Sequence, residues 1–166
     1  MKTFITLVSS LLISMSVHAA DAGSKAPTFA IKSLKNVDTP TIDFESYKGK
    51  VVYVDFWASW CGPCKRSFPM LETLRSKYND RGFEVIAINM DENIDDANNF
   101  LGKFPASFPI GTDPAGKVAE QYGLKGLPTA YIIDRQGVIN HIVVGFDDKS
   151  EYETIEAVTN KLLGAQ

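Results

Sequence analysis

The chain has 166 residues, of which 45% are hydrophobic and 11% aromatic, and a formal net charge of −3. That length holds one compact domain with a full core, and the composition is that of a globular chain, not a disordered or fibrous one. The acidic balance, with no basic block and no basic–aromatic alternation, argues against a nucleic-acid partner.

The first 19 residues form a unit of their own. Lys2 gives a positive start, residues 4–15 are an uncharged apolar and small-residue run, and Val17-His18-Ala19 sets small residues three before and one before a cut. This is the layout of a secretory signal peptide cleaved after Ala19, or after Ala20 in a second register. An uncleaved N-terminal anchor is the other reading, although the run falls short of the roughly 20 residues a membrane span needs. Cleavage leaves 147 residues and removes only Lys2 among the formal charges, which takes the net charge to −4. Export would place the protein where disulfides persist.

One domain is expected over residues 25–164. Residues 28–34 and 41–44 read as a leading hairpin, followed by a turn at 46–50 in which Gly49 can take a positive φ. The near-continuous apolar run 51–57 has the look of a strand buried on both faces. Residues 62–77 follow as a helix, with Pro63 in its first turn, an apolar face built on Phe68, Leu71, Leu74 and Tyr78, and a kink expected at Pro69. Residues 83–90 read as a second buried strand, and Ile94, Ala97, Leu101 and Phe104 as a short helix. A short strand is expected around 108–110 and a helix over 117–122, stopped by Gly123. Residues 129–134 and 138–144 flank the turn Asp134-Arg135-Gln136-Gly137. Ser150 and Glu153 read as a capping box for a last helix with Tyr152, Ile155, Val158, Leu162 and Leu163 on its apolar face. The pattern predicts an α/β fold, a mixed central sheet with helices on both faces.

Chemistry concentrates in Trp60-Cys61-Gly62-Pro63-Cys64-Lys65, which holds the chain's two cysteines at a strand–helix joint. In the first turn of a helix, the Cys61 sulfur would face free backbone N–H groups and the positive end of the helix dipole, which favour thiolate over thiol. Thiolate is the attacking species in disulfide exchange. Cys64, one turn further in and less exposed, would resolve the mixed disulfide in a fast intramolecular step. A zinc site needs four ligands, and the only histidine beyond the leader is His141. A purely structural bridge is disfavoured, because a two-residue loop restricts the unfolded chain very little. Neither a metal nor a cofactor is implied.

The segment Val54-Asp55-Phe56-Trp57-Ala58-Ser59-Trp60-Cys61-Gly62-Pro63-Cys64-Lys65 closely resembles the active-site segment of thioredoxins, and Tyr122-Gly123-Leu124-Lys125-Gly126-Leu127-Pro128-Thr129 resembles a second thioredoxin motif. The leading hairpin, an αβ insertion between about residues 91 and 116 and the export signal are similar to the TlpA/ResA-like branch of that superfamily. The resemblance implies a thioredoxin fold, a redox-active Cys61–Cys64 pair and a cis bond before Pro128. It also implies a shallow substrate groove formed by Trp60, Gly62, Pro63, Leu127, Pro128 and Gly145, in which Leu127 offers its backbone to an extended segment. Trp57 is expected in the core and Trp60 on the surface.

Asp55 is the one acid in the strand 51–57. The resemblance matches it to the buried aspartate behind the dithiol, whose raised pKa would let it accept the Cys64 proton through a water. Where thioredoxins commonly place a lysine beside this acid, the chain has Ala87; Lys50 and Lys65 are the candidate substitutes. The cluster Asp91, Glu92, Asp95 and Asp96 reads as charges favouring a helix start, and His141 as a strand-surface residue.

The leading function is that of a periplasmic thiol–disulfide oxidoreductase reducing protein disulfides, as in cytochrome c maturation or thiol repair. Its partners would be thiol- or disulfide-bearing proteins and a membrane electron donor, and the chain itself is read as a monomer. The alternatives are a thiol peroxidase of peroxiredoxin type and a non-catalytic thioredoxin-like binding module.

Overall fold

The computed structural model describes residues 20–147 and 150–164, so the leader expected over 1–19 lies outside the described residues. Within them the chain forms β1 (Ala30–Lys35), β2 (Thr41–Asp43), β3 (Val51–Trp57), α1 (Cys64–Tyr78), β4 (Phe83–Asn89), α2 (Ile94–Lys103), β5 (Ile110–Thr112), α3 (Lys117–Gln121), β6 (Thr129–Ile133), β7 (Ile139–Val144) and α4 (Ser150–Gly164). The strands make one sheet in the order β2-β1-β5-β4-β3-β6-β7. β3, β4 and β5 run parallel, and the remaining pairings are antiparallel. No helix of the described residues is long and apolar enough to cross a membrane.

Every residue of β3 and β4 is buried, and the period of two sorts their side chains between two cores. Val51, Tyr53 and Trp57 face one side with Phe68, Leu71 and Leu74 of α1, Phe100 of α2 and Ile155 of α4. Val52, Val54 and Phe56 face the other with Phe29, Ile42, Val118 of α3, Tyr122 and Tyr131. Trp57 packs on Phe68 and Phe100, with ring centroids 4.8 and 4.6 Å apart. This aromatic cluster ties the inserted α2 to the floor of the sheet. Burial of each such side chain contributes about 1.5–3 kcal/mol.

The observed elements depart from the sequence reading in instructive places. The short strand lies at 110–112 rather than 108–110, because Asn36 Nδ2 donates to the carbonyls of Ala106 and Phe108 at 2.8 Å each. A side chain thus satisfies backbone groups that a ladder would otherwise take. Ser150 is the first residue of α4 rather than its cap, since the Glu151 N–H already reaches back to the Asp147 carbonyl at 3.3 Å. α1 runs on through Pro69, which sits on its exposed side.

Candidate active site

β3 ends at Trp57, and the chain turns at once. The Cys61 N–H donates to the Ala58 carbonyl at 3.1 Å, the Lys65 N–H to Gly62 at 3.2 Å and the Arg66 N–H to Pro63 at 2.9 Å. These bonds make Gly62 and Pro63 a turn, so α1 begins at Cys64 and not at Gly62. Cys61 therefore stands just before the helix rather than inside its first turn. The consequence expected of the helix start is retained in one contact: the Cys64 N–H points at Cys61 Sγ from 3.3 Å. That N–H is one of the helix's unpaired first-turn donors, and it stabilises negative charge on the sulfur.

The two sulfurs are joined in a disulfide. Cys64 is fully buried and Cys61 only 3% exposed. Cys61 is thus more covered than the exposed thiol the sequence suggested; it lies in the larger core cluster with Trp57, Ala58 and Cys64. Exposure passes to its neighbour Trp60, at 71%.

β6 lies antiparallel beside β3, with Thr129 opposite Phe56, so the segment before β6 meets the cysteine turn at one end of the sheet. The Leu127–Pro128 bond is cis. The Gly145 N–H donates to the Pro128 carbonyl at 2.8 Å, with Gly145 at φ +81° where a side chain would be strained. Arg66 Nη2 reaches the Phe146 carbonyl at 3.3 Å, drawing the segment after β7 toward the start of α1. Pro128 is buried, Leu127, Pro63 and Gly145 are half-buried, and Gly62 is exposed.

Asp55 is 1% exposed, and its Oδ2 is buried without a hydrogen-bond partner. Burial pushes its carboxyl well above the usual carboxylate range. Burial is the sole cause, so neither Lys50 nor Lys65 acts as its counter-ion, and across the ladder it faces Ala87. His141 is half-buried on β7. Among the described residues no cluster of His, Cys, Asp and Glu could hold a metal ion.

One acid differs from the sequence reading. Asp95 and Asp96 occupy the first turn of α2 as expected, whereas Asp91 is buried at 5% exposure and bonds to Ser59, two residues before Cys61. A signal for it was present in the sequence. Once β3 and β4 are aligned as parallel neighbours, Asp91 follows Asn89 as Ser59 follows Trp57.

The Redoxin family matches residues 21–158. Thiol-disulfide oxidoreductase ResA of Geobacillus kaustophilus is 32% identical over 161 residues, spanning 92% of this chain and 91% of its own. ResA of Bacillus anthracis is 33% identical over 131 residues, 79% of this chain and 74% of its own. A crystal structure described as a thiol:disulfide interchange protein DsbE from Chlorobium tepidum superposes with a TM-score of 0.82 at 41% identity, covering 88% of this chain and all of that one. With a thioredoxin-type sheet, a cis bond before Pro128 and a Cys61–Cys64 disulfide at the joint of β3 and α1, the chain belongs to the Redoxin family as a TlpA/ResA-like thiol–disulfide oxidoreductase of the thioredoxin superfamily.

Proposed function

We propose that the protein is an exported, periplasmic reductant of protein disulfides, with Cys61 as nucleophile, Cys64 as resolving thiol and Asp55 as the base for Cys64. The observation that carries the assignment is the contact between the Cys64 N–H and Cys61 Sγ, which favours thiolate at Cys61 and leaves the fully buried Cys64 to act second.

The Cys61 thiolate attacks one sulfur of a substrate disulfide. A mixed disulfide forms and the first substrate sulfur leaves as thiolate. Cys64 then gives its proton to Asp55 by way of a water and attacks Cys61 Sγ. The Cys61–Cys64 disulfide closes and the second substrate thiolate departs, so two electrons pass from the dithiol to the substrate. Burial supports Asp55 as the acceptor, since it raises the basicity of the carboxylate. Among the described residues the backbone N–H and carbonyl of Leu127 carry no hydrogen bond, so they are free to pair with an extended substrate segment beside Trp60, Pro63 and Gly145. A membrane electron donor would regenerate the dithiol, and cytochrome c maturation or thiol repair would supply substrates of this class.

The Gly62-Pro63 pair supports the reducing direction, with a potential toward the thioredoxin end of the scale, about −270 mV. Equilibration with glutathione tests it; a potential above about −180 mV would remove the reductant reading. The residue roles are tested by Cys64→Ser expressed in periplasm, which should accumulate substrates as mixed disulfides on Cys61. A trap that captures nothing argues against the two-step mechanism.

A further inference from the structure

Ser59 and Asp91 meet where the two central strands end. The parallel register of β3 and β4 keeps one offset from Val51 opposite Phe83 to Trp57 opposite Asn89, and two residues further on it sets Ser59 beside Asp91. The Asp91 carboxylate accepts the Ser59 N–H at 2.9 and 3.2 Å on its two oxygens, the Ser59 hydroxyl at 2.9 Å and Asn89 Nδ2 at 2.8 Å. Asn89 is fully buried and in turn accepts the Asp91 N–H on Oδ1 at 3.1 Å. A buried carboxylate is costly unless its oxygens are satisfied, and bonds to an ionised acceptor are the strong ones. Among the described residues, every side-chain or backbone donor to the Asp91 carboxylate apart from Asn89 belongs to Ser59, the residue that opens the turn into Trp60 and Cys61.

We propose that Asp91 is a positioning residue for the redox pair. By clamping Ser59 it holds the turn from Ala58 to Cys61 in register, and with it Cys61 Sγ over the Cys64 N–H and the exposed Trp60 indole on the partner side. The inference rests on the disulfide-reducing reading above. Glu84 supplies the contrast: it lies on the same strand β4 at equal burial and accepts bonds from Arg75 and Asn79, but it bonds nothing in the cysteine turn.

The test follows reduction of insulin disulfides by the protein, recycled with dithiothreitol, well below the Tm of each variant. Cys61→Ser should abolish the reaction; a wild type with no activity would sink the reductase reading itself. Asp91→Asn should lower kcat/KM roughly tenfold and Ser59→Ala roughly threefold, by misplacing the attacking sulfur. The double variant should fall no further than Asp91→Asn alone. Glu84→Gln should lose Tm and keep its rate. In a Trp57→Phe background, where Trp60 is the sole tryptophan, the fluorescence anisotropy should drop with Asp91→Asn and stay with Glu84→Gln. The clamp is overturned by an active wild type whose Asp91→Asn variant keeps its rate, by additive losses in the double variant, or by an equal rate loss in Glu84→Gln. If Asp91→Asn does not fold, Ser59→Ala decides: an unchanged kcat/KM there overturns the proposal.

Discussion

Asp55 on β3 and Ala87 on β4 stand opposite one another in the parallel ladder, both buried. Paired residues point to the same face of a sheet, so the position best placed to hold a countercharge for the carboxyl carries only a methyl group. Burial alone then raises the Asp55 pKa above its unfolded value of 3.8. Between the two values the folded protein keeps a proton that the unfolded chain has released. This contribution to stability is therefore fully present below pH 3.8 and is lost as pH rises through the folded pKa. Asp55→Asn removes the titration. Urea melts of the oxidised protein should show the variant gaining on the wild type as pH rises above the unfolded value of 3.8. A difference that stays constant with pH would refute burial as the cause.

Arg75 and Glu84 form a second buried relationship, joining α1 to β4. Arg75 Nε lies 2.6 Å from Glu84 Oε1, and their side chains are 23% and 6% exposed. Arg75→Ala strands the Glu84 carboxylate with, among the described residues, Asn79 and the Val85 N–H as its remaining donors. Loss of one partner of a buried pair costs about 3–5 kcal/mol, and the partial exposure of Arg75 puts this case near 2–3 kcal/mol. Adding Glu84→Gln should recover part of the loss, because the stranded charge is gone. Denaturant unfolding of the two variants measures both; a double variant no more stable than Arg75→Ala would count against a charge penalty.

The sequence made some of these residues legible and hid others for physical reasons. Asp55 stood out because strands buried on both faces are apolar throughout, and one acid in the run 51–57 breaks that rule. Pro128 came through the motif around it. Asp91 was hidden because locally it is one of four acids ahead of a helix; its partner Ser59 is 32 positions away, and only the β3–β4 register brings them together. The strand at 110–112 was misplaced because a distant side chain, Asn36, holds the backbone of 106–108. The covering of Cys61 depends on tertiary packing around the turn, which no local pattern encodes.

Gly111 is where the leading hairpin docks on the parallel strands. It pairs with Ser33 of β1, and a Cβ there would overlap Ile31 Cδ1 and come within 2.8 Å of Ile31 Cγ1. Ile31 is itself buried, so it cannot swing aside freely. Gly111→Ala should destabilise by about 1–3 kcal/mol, the usual cost of overpacking a filled core. Ile31→Val deletes Cδ1, and combined with Gly111→Ala it should be less destabilised than the sum of the two single variants. Additive losses in thermal melts would mean that the clash is not between these two residues.

Trp57 and Trp60 are three residues apart and do opposite work. Trp57 is fully buried between Phe68 and Phe100. Trp57→Ala should cost about 3–5 kcal/mol, as transfer and cavity terms add. Trp60 is 71% exposed beside the disulfide, so Trp60→Ala should change stability by less than about 0.5 kcal/mol. Its effect should fall on catalysis instead, and selectively. An extended protein substrate would pack its chain on the indole, while a small disulfide reaches Cys61 without it. Trp60→Ala should therefore raise KM for a protein disulfide several-fold and leave exchange with oxidised dithiothreitol unchanged. Paired kinetic runs on the two substrates make the distinction: equal losses on both would mean that Trp60 shapes the chemistry of the thiol rather than the surface that receives the partner.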